Sequence, residues 1–159
     1  MHDILIDKLH RYIQENNPDL LLQLEEDGKV TEYLSDKISA LDELLNQLEG
    51  QPVYIIEEAC MKALTQDLRP SKYNYICNIL EEEFETVYQR LHELGTLKFE
   101  VINLIGECQT VFDELTFTEQ NEDWQLRYTI IGAISECLES NGGYENVSDG
   151  LQQSTKIRR

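Results

Sequence analysis

The chain has 159 residues, of which 31 are acidic and 13 basic, for a net charge of −18. That excess repels phosphate backbones and anionic lipid, so it argues against nucleic acid and membrane surfaces as direct partners and favours another protein, a basic one. The length suits one domain whose core needs no metal or disulfide staple, and no run approaches the ~20 apolar residues that span a bilayer.

The first periodic stretch, 3–16, carries Ile4 or Leu5, Leu9, Tyr12 and Ile13 at helical spacing and stops at Asn16-Asn17-Pro18. Asn17 can cap a short second helix with Pro18 at its first position, Leu20, Leu21 and Leu24 on its apolar side, and Gly28 as its stop. Val30, Leu34, Ile38, Leu41, Leu45 and Leu48 continue one seam as far as Gly50. The seam is too short for a free coiled coil, so it predicts a helical hairpin within the chain. A fourth helix opens at Pro52, with Ile55, Ile56, Ala59, Cys60, Ala63 and Leu64 as its stripe.

Residues 71–94 form the longest periodic stretch. Tyr73, Ile76, Cys77, Leu80, Phe84, Val87, Tyr88, Leu91 and Leu94 make one stripe of about six turns, opened by Pro70 and Ser71 and closed by Gly95. Tyr75 and Ile79 fall on the opposite side, which predicts a helix packed between neighbours. A further helix runs from Leu97 to Leu115, with Gly106 read as a point of close helix approach. Residues 116–123 are a polar break in which Thr118 can cap the last helix, with Glu119, Glu122 and Asp123 near its positive end. The stripe of that helix is read as Trp124, Tyr128, Ile131, Ile134 and Leu138, with Trp124 in the core, and Asn141-Gly142-Gly143 ends it.

Residues 144–159 lack periodicity and are expected to be a disordered tail; without them the body carries −19. No segment alternates as a half-buried strand does, and no internal repeat is evident. The expected fold is all-α: a compact bundle of about six to seven helices around a long central helix, 71–94, in a single domain over 1–143.

The cysteines, Cys60, Cys77, Cys108 and Cys137, have no paired spacing, and each falls on an apolar stripe. Buried, unreactive, reduced thiols are expected, and with them a cytoplasmic location. The order of short motifs, Asn17-Pro18-Asp19-Leu20, Glu58-Ala59, Asp67-Leu68, Ser71-Lys72-Tyr73, Glu83-Phe84, Gly132-Ala133-Ile134 and Asn141-Gly142, resembles a bacterial domain-of-unknown-function family of small, acidic, all-α proteins. The resemblance spans about 3–143 and implies a compact helical fold and a bacterial cytoplasm. It transfers no catalytic residue.

Glu81, Glu82, Glu83 and Glu85 cannot all face one ion from a helix, so a solvated face is favoured over a metal site. Asp7-Lys8-Leu9-His10 approximates one half of a di-iron pattern without a second copy. His2, His10 and His92 have no evident catalytic partner. No catalytic residue, metal or cofactor is therefore assigned. The expected function is a non-catalytic protein-interaction or regulatory module, monomeric or a weak homodimer, using Glu82, Glu85 and Glu93 as its face. The alternative is a small-ligand-binding protein or enzyme with an interhelical pocket lined by Tyr73, Glu83, Tyr88 and Tyr128.

Overall fold

The computed structural model describes residues 1–118 and 123–141. The expected tail, 144–159, and Glu119 and Glu122 before the last helix lie outside the described residues. Every regular element among the described residues is helical, as the periodicity predicts. The chain divides into two compact units, the first ending at Ser71 and the second beginning at Lys72, and each has its own apolar core.

The first unit contains α1 (His2–Asn16), α2 (Pro18–Asp27), α3 (Val30–Ser39), α4 (Asp42–Gln47), α5 (Val53–Leu64) and a 3-10 turn, Gln66–Leu68. Leu5, Leu9 and Ile13 recur every fourth residue and are fully buried, so α1 presents one stripe to α2, α3 and α5. Leu34, Ile38 and Leu41 meet it from α3 and its end; Cys60, Leu64 and Leu68 complete the core. Pro18 occupies the first position of α2, as predicted, and Gly28 ends that helix in the left-handed conformation at φ 68°. The Asn17 side chain makes no cap bond there. Its amide instead donates to the Leu68 carbonyl at 3.3 Å, and the Ser71 hydroxyl donates to the Asn16 carbonyl, so the α1–α2 joint is tied to the segment leaving α5.

The second unit contains α6 (Lys72–Glu83), α7 (Glu85–Leu94), α8 (Leu97–Glu107), α9 (Gln109–Glu114) and α10 (Trp124–Asn141). The long helix expected over 71–94 is thus two helices, broken at Phe84, whose backbone turns to φ −136°, ψ 49°. On an unbroken helix Glu82 and Glu81 would lie three and four residues before Glu85, a repulsion of a few tenths of a kcal/mol per pair. The break relieves that crowding, lets Phe84 pack on the core, and allows both α6 and α7 to reach α8. The predicted seam over 30–48 and the helix over 97–115 are divided in the same way, at Ala40–Leu41 and at Cys108, which is why there are more and shorter helices than periodicity alone suggests.

These joints expose an internal repeat that the sequence conceals. Asn17 (φ −136°, ψ 53°) and Phe84 (φ −136°, ψ 49°) break the first helical pair of each unit. Gly28 (φ 68°, ψ 30°) and Gly95 (φ 75°, ψ 16°) end the second helix, and Leu41 (φ −90°, ψ −2°) and Cys108 (φ −95°, ψ 4°) separate the third from the fourth. Each pair is 67 positions apart. Buried positions keep the same offset: Leu9 with Ile76, Ile13 with Leu80, Leu34 with Val101, and Ile38 with Ile105. In the final helices the offset becomes 70, matching Cys60 with Ile130 and Leu64 with Ile134, because more residues separate α9 from α10 than α4 from α5. Over 5–48 only Glu15, Leu24, Glu26, Gly28, Ile38 and Leu48 are identical to their counterparts. The repeat is therefore one of backbone joints and buried register rather than of residue type.

Two glycines are not explained by close packing. A Cβ added at Gly106 or at Gly132 would meet no heavy atom within 4 Å, which corrects the reading of Gly106 as a close approach. Both lie inside helices at ordinary φ, so alanine there removes only chain freedom from the unfolded state. Gly106→Ala and Gly132→Ala are each expected to raise stability by about 0.5–1 kcal/mol, read as a higher urea midpoint at an unchanged slope.

Candidate interaction surface

The acidic run of the second unit occupies the end of α6 and the start of α7. Arg127 of α10 donates to Glu82 at 2.9 Å and lies 3.3 Å from a Glu83 oxygen, so these two carboxylates share one cation. Glu85 and Glu93 are exposed on α7. The break at Phe84 sets Glu82 on a different helix from the other two, so the three predicted face residues do not share one straight helical surface. Glu93 is followed by Leu94, 56% exposed, and Phe99 one turn into α8 is 62% exposed, on the other side of the Gly95 turn. In the sequence Leu94 completes the stripe of a continuous helix; it loses that place once the helix is broken, which leaves an apolar group exposed beside a carboxylate.

The four residues considered for a pocket are dispersed. Tyr73 and Tyr88 come together around Cys77, where burial and then the neighbouring Cys77 push the Tyr73 hydroxyl up to about 12. Glu83 is held by Arg127 at the end of α6. Tyr128 lies on the outside of α10, 64% exposed and stacked on Trp124 with centroids 6.0 Å apart. None of the four lines either of two cavities of about 590 and 410 Å³, the first at the N-terminus beside His2, Asp3 and Glu49, the second between α8 and α10 beside Glu107 and Cys137.

Trp124 is 62% exposed, which corrects its expected place in the core. The buried stripe of α10 is Leu126, Ile130 and Ile134, on the far side of the helix from Trp124. The polar start of α10 is capped by Asp123, whose carboxylate accepts from the Leu126 amide at 3.1 Å, in the role assigned to Thr118. Among the cysteines, Cys60 and Cys108 are fully buried, whereas Cys77 and Cys137 are partly buried. Desolvation raises the pKa of all four, so none is an activated thiolate at neutral pH. Among the described residues no three His, Cys, Asp or Glu side chains are grouped as a metal site would require, and no helix is long and apolar enough to cross a membrane.

The fold and surface define an all-α protein of two similar helical units with carboxylates and apolar side chains exposed together on the second. The chain belongs to the family described as Domain of unknown function (DUF1896), whose model matches residues 6–142 and so runs across both units. No curated protein and no solved structure matches it.

Proposed function

We propose that this protein is a non-catalytic protein-interaction or regulatory module of a bacterial cytoplasm that recognises a basic partner through the second unit. The observation that carries this reading is the corner between α7 and α8, where exposed Leu94 and Phe99 accompany the exposed carboxylate Glu93, with Glu85 exposed at the other end of α7. An apolar centre with a charged rim is how partners gain affinity from burial and selectivity from charge. With 31 acidic against 13 basic side chains, the surface has few cations of its own to neutralise that rim, and a second copy of the same chain is repelled. A pocket function has less support, since Tyr73, Glu83, Tyr88 and Tyr128 line neither of the two cavities found among the described residues.

The test is affinity capture from a lysate of the source organism at about 0.15 M salt, where charges are screened beyond ~8 Å. One stoichiometric basic partner is expected, with capture reduced about tenfold by Glu85→Gln together with Glu93→Gln. Glu82→Gln should matter less, because Arg127 already occupies that carboxylate. Diffuse retention of many basic proteins, unchanged by the substitutions, would sink the proposal.

A further inference from the structure

We infer that the outer face of α10 is a second docking surface, shaped for a cationic amphipathic helix of a partner protein. The inference rests on the reading of the protein as an interaction module but places a contact on a helix that reading does not use. At 100° per residue, Trp124, Tyr128, Gly132, Ser135 and Glu139 fall within one narrow arc, opposite the buried Leu126, Ile130 and Ile134. Glu136 flanks the arc.

The face has three parts in order along the helix. Trp124 and Tyr128 form a stacked ledge with an interplanar angle of 29°. Gly132 follows as a flat step, with nothing within 4 Å of where a Cβ would stand. Glu136 and Glu139 then supply exposed carboxylates, the first about 18 Å from Trp124 at ~1.5 Å per residue. Large aromatics left this open lose the hydrophobic gain of burial, and a flat step beside them admits another backbone closely. Arg127, the cation of this helix turn, is drawn away to Glu82 and Glu83 and leaves the ledge without a positive charge of its own.

The aromatic is a repeated feature. The position of Trp124 corresponds, at the offset of 70 that relates the last helices, to Tyr54 in the first turn of α5, which is 69% exposed. The neighbouring position behaves differently: Glu57 of α5 pairs with Lys8 of α1 at 2.7 Å, and its counterpart Arg127 of α10 pairs with Glu82 of α6. Both units thus spend this neighbouring charge inward on the first helix and leave the aromatic outward.

Charge selects the occupant. The net charge of −18 opposes a second copy and an anionic surface, while Glu136 and Glu139 attract arginine or lysine. Apolar side chains of the partner would cover the ledge, and its guanidinium groups would stack on Trp124 or pair with the two glutamates.

Trp124 is the only tryptophan of the chain, so it reports its own burial. The full-length protein is titrated with a synthetic helical peptide of leucine and arginine that contains no aromatic residue. Two control peptides carry glutamine in place of arginine, or serine in place of leucine. A saturable blue shift of the tryptophan emission is expected, with affinity weakened about tenfold by Tyr128→Ala and severalfold by Glu136→Gln with Glu139→Gln, and at least tenfold weaker for either control. Gly132→Leu, at an exposed position where an added Cβ meets no heavy atom within 4 Å, should block the peptide while leaving the circular dichroism unchanged. Binding seen by calorimetry without a shift, and lost on Glu85→Gln with Glu93→Gln, would overturn the α10 surface and leave the α7–α8 reading standing. Equal binding of the serine control, or none at about 1 mM, would also overturn it.

Discussion

Leu9→Ala and Ile76→Ala are each expected to lower stability by about 3 kcal/mol, within the 2–5 kcal/mol typical of truncating a fully buried aliphatic side chain. Both positions are closed to solvent, and they are counterparts in the first helix of each unit, where α1 packs on α3 and α6 packs on α8. The loss combines the transfer free energy of the removed carbons with the cavity left among rigid neighbours. Because the register of the two units is the same, the two costs should agree within about 1 kcal/mol. Denaturant unfolding at equal slope measures both; a loss under about 1 kcal/mol at either site would show that the site is not a packed core position.

Stability is also expected to fall by nearly 3 kcal/mol between about pH 9 and 11, through Cys108. Burial, then Cys137 and Glu107, pushes this thiol from an ordinary 9.0 up to about 11. Above pH 9 the unfolded chain releases the proton while the folded chain keeps it, so the unfolded state binds fewer protons and stability declines by about 1.4 kcal/mol per pH unit. The decline from this group ends near pH 11, where the folded thiol also ionises. Tyr73, raised to about 12, extends the loss above pH 10 by the same sign. Cys108→Ala should lower stability at neutral pH yet flatten the slope between pH 9 and 11. An unchanged slope would mean that another group controls the alkaline limb.

The helical class and most helix ends were legible in the sequence because Gly28, Gly95 and Pro18 impose their own backbone geometry. The break at Phe84 was not. No proline or glycine marks it, and the apolar stripe passes through it unbroken; only the crowding of Glu81, Glu82 and Glu85 hinted at a bend. The repeat is hidden in the residue types because the quantities it keeps are joint angles and buried register. At Asn17 the following proline sets the break, whereas at Phe84 packing does. On the surface, Glu85 and Glu93 are exposed, and Trp124, which the apolar stripe puts in the core, is exposed too. Two apolar phases compete in α10, and the residues at 126, 130 and 134 keep a spacing of four without interruption. That phase is the buried one, and it leaves Trp124 and Tyr128 exposed.

The most direct measure of the proposed charge-guided recognition is the association rate of the captured partner as salt is raised from about 0.05 to 0.5 M. Screening shortens from roughly 14 Å to 4 Å across that range, so steered encounter should slow by about tenfold or more while dissociation changes little. Glu85→Gln with Glu93→Gln should reproduce part of that slowing at low salt. An association rate independent of salt, equal in the wild-type and substituted proteins, would contradict recognition by this acidic surface.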